Sequence, residues 1–439
     1  MRDLGASSRM RSIGIGILGF GTVGAGVVEG LQRNARVIGE RLGLMPAVLR
    51  IADLDLEADR GVAVEPDTIT RDAEAVVRDE NVRIVVELIG GTGAAKELVM
   101  LALELGKPVV TANKALLAEH GREIFELAER RGVDLYFGAS VGGGIPVIRA
   151  LREGLIGNRI NSIHGILNGT CNYILTRMEA EGLEFEQVLG EAQAAGYAEA
   201  DPALDIDGTD TAHKAVILAS LAYGFSVPMS SVATEGIRGI SRTDIRYAGD
   251  LGYRIKLLAV IKREDSRIEV RVHPTLVPLN TMLASVGGVY NAVMVEGDLV
   301  GKTLYYGRGA GRKPTASTVI SDIAEVMKNL EGGSRRPLAA LAQIGQPAGI
   351  MDIGEVVTRY YLRLSLLDRP GVLGRIADIL GANGISIASV IQKDISQDDY
   401  VPVVIVTHRA CEAELNTALG EIDALEIVGA PTVRFRIEE

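Results

Sequence analysis

The sequence predicts an α/β protein with three parts: a domain on a parallel sheet, an α+β domain, and a small β-α-β-β-α-β unit. Three observations support this prediction. Strand and helix patterns alternate over the first third of the 439 residues, later runs alternate like antiparallel strands, and the final segment has its own order of strands and helices. A chain of this length accommodates about three domains of ordinary size.

In the first part, apolar β-rich stretches alternate with helical patterns such as GTVGAGVVEGLQRNARVIGERL. This alternation is typical of βαβ units and of a doubly wound parallel sheet that binds a nucleotide. We predict such a domain over residues 12–145, with about 308–332 returning to it. Its strands are predicted at 12–20, 47–55, 82–91, 107–113 and 133–140.

The middle part, residues 146–307, changes character and predicts an α+β domain. NRINSIHGIL (158–167) has the pattern of a strand, and NGTCNYILTRM (168–178) indicates a turn that enters a helix. A polar loop then precedes a long apolar helix, TAHKAVILASLAYG (211–224). The later runs IKLLAVIKRE, RIEVRVHPTLV and NAVMVEGDLVGKTLYYGRG alternate as antiparallel strands do.

The last part begins after a stretch with little periodicity. Residues 333–355 are rich in Gly and Pro, so we interpret them as a linker. Residues 356–439 then run strand, helix, strand, strand, helix, strand, which is the order of a ferredoxin-like unit. We expect this unit to be able to fold alone and to pair through the edges of its sheet.

Composition excludes several classes of protein. The 46 Lys and Arg against 57 Asp and Glu give a net charge of -11, and aromatic residues are only 4% with no Trp, which disfavours nucleic acid. Two cysteines and five histidines exclude a disulfide framework and a zinc cluster. No apolar run is long enough to span a membrane, and the N-terminus lacks a signal-peptide core. We therefore expect a cytoplasmic globular protein.

A glycine-rich turn follows the first predicted strand and opens a helix, the context in which G-x-G-x-x-G predicts dinucleotide binding. Glycine is needed there because backbone amides must approach a pyrophosphate without an intervening Cβ. Asp53 ends the second strand, where a carboxylate can bind ribose hydroxyls, although it can also simply cap a turn. Arg50 and Arg60 lie near it, so NAD and NADP both remain open. The residues of the turn are Gly19, Phe20, Gly21, Thr22, Val23 and Gly24.

Acidic residues crowd into a short loop directly before the long apolar helix. Asp210 and Lys214 are four residues apart and share a helix face, where a lysine is costly to bury without a partner. Lys114 follows the fourth strand at the carboxyl edge of the sheet, where ligands bind in open α/β folds. The alternatives are a solvated or cation-binding loop and a surface lysine at a helix start. The acidic residues are Glu199, Asp201, Asp205, Asp207 and Asp210.

These residues form a long, spaced pattern. The segment 196–214, GYAEADPALDIDGTDTAHK, resembles the signature of the homoserine dehydrogenases. LLDRPGVLGRIADIL followed by NGISI resembles an ACT regulatory domain, so the likeness extends from Ile13 to the end of the chain. Further segments that resemble the family are GFGTVG, VVELIGG, TANKALLA, SVGGGIP, GILNGTCNYIL and GRGAGRKPTAS.

The resemblance implies a Rossmann domain, a catalytic and dimerisation domain and an ACT domain. It implies interconversion of L-homoserine and L-aspartate 4-semialdehyde with NAD or NADP, in the biosynthesis of threonine, methionine and isoleucine. Lys214 is then the proton donor, assisted by Lys114 and Asp210. Substrate binding is assigned to Glu199, Asp205, Asp210 and Lys114, and further contacts with the coenzyme to Asp53, Thr92, Lys114, Gly169 and Gly309.

The resemblance also implies an assembly and a regulator. We expect a homodimer or homotetramer, and threonine as a feedback inhibitor that binds at the ACT domain. The alternative is an ACT unit that only dimerises and binds no effector.

A monovalent cation, usually sodium, is also implied. The family binds it through backbone carbonyls, here those of Val141, Gly143 and Ile145, and through a Glu three residues before the Val. In this chain Gly138 stands at that position, so the anionic ligand is missing. A tight structural turn without an ion remains the alternative.

The sequence leaves two other functions open. In a semialdehyde dehydrogenase, Cys171 would be the nucleophile, because a helix N-terminus lowers the pKa of a thiol. That reading leaves the acidic loop and its lysine unused. A non-catalytic amino-acid sensor would use the nucleotide-binding and ACT parts to bind ligands without chemistry.

Overall fold

The structure, a computed structural model, describes residues 11–333, 349–392 and 400–438. Most of the predicted linker (334–348) lies outside the described residues, as do the N-terminal residues 1–10, residues 393–399 and Glu439. Among the helices of the described ranges, none combines the length and apolar character needed to cross a membrane.

The first part of the chain forms a six-stranded parallel sheet with helices on its faces. Its strand order is β3-β2-β1-β4-β5-β6, and every neighbouring pair is parallel. The strands are β1 Arg11–Leu18, β2 Leu44–Ala52, β3 Ile69–Thr70, β4 Ile84–Glu87, β5 Val109–Thr111 and β6 Leu135–Tyr136. The helices are α1 Thr22–Leu42, α2 Ala73–Arg78, α3 Ala94–Glu104 and α4 Lys114–Arg131.

The strand order reverses between β1 and β4, which creates a crevice at the carboxyl edge of the sheet. The turn after β1, the residues after β2 and the start of α4 all reach this edge. Gly19 adopts φ +98°, and a Cβ there would lie 2.7 Å from the Leu88 carbonyl oxygen after β4. Only glycine fits this position, because the two loops pass each other closely.

The middle part has a mixed sheet with helices on one face. Its strands are β7 Ile160–Ile166, β8 Ala233–Thr234, β9 Tyr253–Glu264, β10 Arg267–Pro278, β11 Tyr290–Gly297 and β12 Gly301–Arg308. Its helices are α5 Val147–Arg149, α6 Gly169–Glu181, α7 Phe185–Ala194, α8 Ala203–Ile206, α9 Thr209–Tyr223 and α10 Arg242–Asp250.

The helix α11, Arg312–Gly332, returns to the first sheet and packs on α1. A Cβ on Gly26 would lie 2.8 Å from the Arg312 carbonyl oxygen, and one on Gly30 would lie 2.5 Å from Ile320 Cδ1. Glycine at these positions therefore lets the two helices approach closely.

The terminal part continues the mixed sheet. Its helices are α12 Val372–Ala382 and α13 Glu412–Asp423. Its strands are β13 Gly349–Ile350, β14 Val357–Leu367, β15 Ile387–Ile391, β16 Tyr400–Thr407, β17 Ala410–Cys411 and β18 Val428–Ile437.

The last strand, β18, joins the terminal part to the middle part. It pairs with β14 in its own unit and, in parallel, with β10, where Thr275 faces Arg436 and Leu276 faces Ile437. The combined sheet has the order β12-β11-β7-β9-β10-β18-β14-β16-β15. The terminal unit has the predicted order of elements, but the sequence did not indicate that it shares a sheet with the middle part.

Several predicted boundaries differ from the structure. The strand predicted at 47–55 is β2, which begins at Leu44 and ends at Ala52, and the strand predicted at 133–140 is limited to Leu135–Tyr136. The latter ends early because the chain turns at Phe137 into a 3-10 turn, Gly138–Ser140. The helix α10 was not predicted. Ser241 and Asp244 cap it reciprocally, a local signal that the sequence did contain.

Candidate active site

Lys214 and Asp210 form a buried ion pair on the first turns of α9. The helix begins after Gly208, and the two side chains lie one turn apart on the same face, as the sequence predicts. Lys214 Nζ donates to Asp210 Oδ2 at 2.6 Å and to the Leu167 carbonyl at 2.7 Å. Two of the three ammonium hydrogens are thus held by the protein, which leaves one for another acceptor.

Lys114 reaches the same carboxylate from the first sheet. It is the first residue of α4, whose N-cap Asn113 accepts a hydrogen bond from the Leu116 amide. Lys114 Nζ lies 2.9 Å from Asp210 Oδ1. Asp210 therefore bridges two lysines that are 100 positions apart in the sequence (114 and 214).

The charges of these three groups support one another. Burial alone would raise the pKa of Asp210, but Lys214 and Lys114 outweigh burial and hold that pKa well below its usual range. Burial alone would also lower the pKa of Lys114, yet the charge and hydrogen bond of Asp210 raise it overall. At neutral pH, Asp210 is therefore ionised and Lys114 is cationic.

Asn168 organises the acidic residues, and sequence reasoning did not assign it to the site. Its side-chain amide donates to Asp205 Oδ1 at 2.7 Å and to Asp210 Oδ2 at 2.9 Å. Its oxygen caps α6 by accepting from the Cys171 amide at 2.8 Å. An Asn that precedes a helix is an N-cap signal in the sequence, but its amide contacts with the acidic loop are long-range and gave no local signal.

Glu87 is a second residue that the sequence did not assign. It ends β4 and is fully buried, and its carboxylate accepts hydrogen bonds from Thr111 Oγ1 at 2.5 Å and from the Ile89 amide at 2.9 Å. Asn113 Nδ2 donates to the Gly91 carbonyl at 2.7 Å. These bonds tie the loop after β4 to the turn that positions Lys114, and Thr92 lies in that loop.

The predicted acidic residues have different positions. Asp205 and Asp210 are brought together by Asn168, whereas Glu199 is exposed at the rim and contributes charge that raises the pKa of Lys114. Asp207 pairs with Arg238 outside the site, and Asp201 accepts from the Ala203 amide.

The glycine turn leaves the N-terminus of α1 open. No side chain caps this helix and its first turn carries no acidic residue. A Cβ on Gly21 would meet no atom within 4 Å, whereas one on Gly24 would overlap the Gly19 carbonyl oxygen. Asp53 follows β2, accepts from the Phe20 amide at 2.6 Å and lies 3.5 Å from Arg60.

A second group of glycines lies where the middle part meets the first sheet. A Cβ on Gly309 would overlap the Asn291 side chain, and one on Gly169 would lie 2.9 Å from the Val289 carbonyl oxygen. A Cβ on Gly143 would overlap the Gly309 carbonyl. The predicted residues Gly143 and Gly309 are therefore in close backbone contact. Gly169 lies beside the residues at the start of β11, which carries Asn291.

Three family models match the chain. "Homoserine dehydrogenase, NAD binding domain" matches residues 19–138, "Homoserine dehydrogenase" matches 146–324, and "ACT domain" matches 360–427. Over 436 residues the chain is 48% identical to a homoserine dehydrogenase of Pseudomonas aeruginosa, with 98% of this chain and 100% of the relative covered. The chain belongs to the homoserine dehydrogenase family.

Another relative and two solved structures agree with this assignment. A homoserine dehydrogenase of Neisseria gonorrhoeae is 46% identical, with 98% of this chain and 99% of the relative covered. A crystal structure of a homoserine dehydrogenase from Thiobacillus denitrificans is 46% identical with a TM-score of 0.93, covering 98% of this chain and 99% of that one. A hyperthermophilic archaeal homoserine dehydrogenase in complex with NADPH has 28% identity and a TM-score of 0.62, covering 72% of this chain and 98% of that one.

As a member of the homoserine dehydrogenase family, the protein is an NAD(P)-dependent oxidoreductase with an NAD-binding domain and an ACT domain. The residues present fit a nicotinamide dinucleotide. The uncapped N-terminus of α1 offers its amides to a pyrophosphate, and Gly21 leaves the space in front of it open.

The cation ligand set that the sequence resemblance implies fits this chain poorly. A Cβ on Gly138 would lie 3.0 Å from both carboxylate oxygens of Asp322, which itself accepts from the Gly138 amide at 2.8 Å. Burial raises the pKa of Asp322 to about 7, so this carboxyl is not a full substitute for an ionised Glu. Within the described residues, no group of three His, Cys, Asp or Glu side chains is arranged to hold a metal.

The thiol mechanism is contradicted by the environment of Cys171. The side chain is fully buried, and burial together with the nearby Asp205 and Asp210 raises the pKa of the thiol well above its ordinary value. The expected lowering of this pKa by the helix N-terminus is therefore wrong, because burial and the two carboxylates outweigh it. Cys171 Sγ lies 3.2 Å from the Asp205 carbonyl, a structural contact.

Proposed function

We propose that Lys214 is the acid–base group in the interconversion of homoserine and aspartate 4-semialdehyde. The observation that carries the proposal is its ammonium group, held by Asp210 and by the Leu167 carbonyl with one hydrogen left over. A buried, oriented ammonium group is suited to deliver a proton to one fixed position.

When bound, the coenzyme supplies or accepts the hydride. In the reduction, the aldehyde carbon gains the hydride, the C=O π pair moves to oxygen, and Lys214 Nζ gives that oxygen a proton. In the oxidation the same atom takes the hydroxyl proton from homoserine. One group thus acts in both directions, as microscopic reversibility requires.

Lys114 is proposed to stabilise the developing alkoxide. Two ammonium groups share the single carboxylate of Asp210, so these three side chains carry a net positive charge when both lysines are protonated. A preorganised cation beside a developing oxyanion stabilises the transition state more than the ground state. Asp210 keeps both lysines at fixed distances from one another.

The acidic residues are proposed to bind the ammonium group of the substrate. Asp205 is oriented by Asn168 next to the catalytic ion pair, and Glu199 adds negative charge at the rim. A charge-assisted hydrogen bond from an ammonium group to a carboxylate is among the stronger polar contacts. Asp210 is assigned to the same contact, and it shares its charge with Lys114 and Lys214.

The dinucleotide is assigned to the turn 19–24, with Asp53 beside the adenosine ribose and Thr92, Lys114, Gly169 and Gly309 towards the nicotinamide. Arg60, 3.5 Å from Asp53, places a cation beside that carboxylate. The chain therefore has groups suited to a free 2′-hydroxyl and to a 2′-phosphate, and we propose that both NAD and NADP bind.

A monovalent cation is proposed to bind with an incomplete set of ligands. The carbonyls of Val141, Gly143 and Ile145 are the proposed ligands, while Gly138 supplies no carboxylate, and a Cβ there would meet the ends of the Thr318 and Asp322 side chains. We infer weak cation binding, and we assign the cation no step of the reaction.

The assembly is proposed to be a homodimer or a homotetramer. The face of the middle sheet away from α6 and α9 has a groove of about 550 Å³, lined in part by the exposed Met282 and the half-buried Met294 and Leu304. A second copy packed there would cover these apolar side chains, as is usual at subunit interfaces. Sedimentation velocity tests this assembly, and a monomer at micromolar concentration would contradict it.

The reaction is proposed to serve the synthesis of threonine, methionine and isoleucine, with threonine as inhibitor at the ACT domain. The decisive experiment measures initial rates of homoserine oxidation with NAD and NADP in parallel, with and without millimolar threonine, in sodium chloride and in choline chloride. We expect turnover with both coenzymes, inhibition by threonine, and little difference between the salts. No response to threonine would refute the regulatory role and leave the ACT domain with a role in assembly only.

A further inference from the structure

Residues 234–238 form a short segment, here called the strap, between the ACT domain and the acidic residues of the active site. The strap begins at the end of β8, which pairs in parallel with β10: Thr234 faces Val272, and the Glu235 amide donates to the Val272 carbonyl at 2.8 Å. Its first residues are therefore fixed to the same strand with which β18 of the ACT domain pairs.

On one side, the strap is bonded to the acidic loop. The Ile237 amide donates to the Ile206 carbonyl at 2.8 Å, and Arg238 forms an ion pair with Asp207. Gly236 passes so close that a Cβ would lie 2.5 Å from Asp207 Cα and would overlap the Ile206 carbonyl oxygen. A displacement of the strap therefore has to displace residues 206 and 207 as well.

The strap also lies against the start of the catalytic helix. Gly208, which precedes α9 with φ +87°, would place a Cβ 3.0 Å from Thr234 Cγ2 and 3.3 Å from the Glu235 carbonyl oxygen. Two residues further on is Asp210, which holds both lysines. The strap thus contacts residues 206 and 207, which follow Asp205 directly, and the start of the helix that carries the acid–base group.

On its other side, the strap is held by the ACT domain. Arg436 of β18 donates to both Glu235 oxygens, at 3.0 and 2.8 Å, and Arg434 donates to one of them at 3.0 Å. Arg436 is almost fully buried and is also bound by Glu412 of α13. Burial alone would raise the pKa of Glu235, but the two arginines lower it, so the ion pair persists at neutral pH.

We propose that Glu235 is a positioning residue that transmits the state of the ACT domain to the substrate-binding carboxylate Asp205. When β18 holds Glu235 in the arrangement described, the strap fixes residues 205–207 where they bind the ammonium group of homoserine. A ligand that shifts β18 or α13 releases the strap and weakens binding of homoserine. The inference rests on the proposed roles of Asp205 and Lys214.

The test compares Glu235→Gln with wild type in the full-length protein. Glutamine keeps the size of the side chain and removes the ion pair. We expect KM for homoserine to rise roughly 3- to 30-fold, because changes along such coupling routes alter affinity by that order. We expect kcat and the dissociation constant of the coenzyme to change less than two-fold or so, and the threonine midpoint to shift.

Glu355→Gln is the matched control. Glu355 forms an ion pair at 2.7 Å with Arg267 of β10, next to the ACT domain but away from the acidic loop. It should leave KM for homoserine unchanged. Glu235→Asp keeps the charge on a shorter side chain and should give an intermediate KM for homoserine. If the Gln variant is unstable, this second variant still shows whether the position of the charge at residue 235 affects substrate binding.

The outcomes separate this inference from the proposed function. Equal KM values in wild type, Glu235→Gln and Glu235→Asp would overturn the role of the strap while leaving the activity intact. Failure of wild type to oxidise homoserine would instead overturn the proposed function. An equal rise in KM in Glu355→Gln would show a general effect of the domain contact and would also contradict the strap.

Discussion

Lys114 Nζ and Asp210 Oδ1 lie 2.9 Å apart, and this ion pair joins the two sheets of the catalytic unit. Lys114 lies in the segment matched by the NAD-binding family model, and Asp210 lies in the segment matched by the catalytic one. The site is therefore complete only when the two parts are correctly placed. Because Asp210 also binds Lys214, one carboxylate sets the geometry of both cations.

Asp210→Asn tests this bridging role. The change removes the charge that both lysines share, so we expect kcat to fall by about 10²-fold or more, in line with loss of a positioned acid–base system. Coenzyme binding should change little, which fluorescence titration measures. Asp201→Asn, an exposed acid of the same loop, is the control and should have near wild-type kcat. An Asp210→Asn enzyme with normal turnover would refute the bridge.

Asp205→Asn and Glu199→Gln test the assignment of the substrate's ammonium group. Removing a carboxylate from a charge-assisted contact weakens binding by roughly ten-fold or more. We expect the larger rise in KM for homoserine with Asp205, which Asn168 orients, and the smaller with Glu199, which is exposed at the rim. Steady-state kinetics with saturating coenzyme provides both values. If KM for the coenzyme changes more than KM for homoserine, the assignment is wrong.

Gly21→Val tests the coenzyme turn. Gly21 has φ -68°, and a Cβ there would meet no atom within 4 Å, so a side chain can be added at this position without a backbone clash. Valine places branched carbons where a pyrophosphate would lie, and we expect coenzyme affinity to fall at least ten-fold or so. Gly157→Val is the control, because its Cβ would also meet no atom within 4 Å. Coenzyme affinity that stays within about two-fold in Gly21→Val would contradict the assignment.

The lowered pKa of Lys256 leads us to expect that the stability of the protein depends on pH. It is buried on β9, where it donates to Asn172 Oδ1 and to the Val286 carbonyl, and burial lowers its pKa from 10.5 to about 8. Between these two values the unfolded chain binds more protons than the folded one, so stability rises with pH. Denaturant unfolding should show this contribution between about pH 8 and 10.5, and Lys256→Met should lack it. An identical pH profile in both proteins would show that the pKa is not lowered.

Local features of the site could be predicted from the sequence. The glycine turn follows a strand and opens a helix, and Asp210 and Lys214 share a helix face at a spacing of four. Both depend on short-range geometry that the sequence encodes directly. The domain limits at 145, 307 and 355 and the roles of the site residues stay predictions.

Long-range features could not be predicted. The contacts of Asn168 with Asp205 and Asp210 depend on how α6 packs beside the acidic loop, and the pairing of β18 with β10 joins strands far apart in the chain. The hydrogen bond from the Gly138 amide to Asp322 is also of this kind: the return of about 308–332 to the first domain was predicted, but the residue of this helix that faces Gly138 was not. Such contacts depend on tertiary packing, which neither periodicity nor motif spacing reveals.

The pairing of β18 with β10 also affects how regulation is tested. A truncation near Gly354 would remove the strand that pairs with Thr275 and Leu276, and it would leave the buried Arg271 without Glu438. Loss of activity in such a truncation would reflect exposed sheet and an unpaired charge. Substitutions in the full-length chain, with threonine titrated directly, avoid this problem.

The central claim is that Lys214 moves the proton, and kcat of Lys214→Ala for homoserine oxidation tests it most directly. Lys328→Ala, which removes an exposed lysine of α11, is the matched control. The comparison requires that Lys214→Ala folds and binds the coenzyme as wild type does. Under that condition, we predict that its kcat falls by about 10² to 10⁴-fold relative to wild type and control. A folded Lys214→Ala enzyme that turns over homoserine at a rate close to wild type would contradict the account.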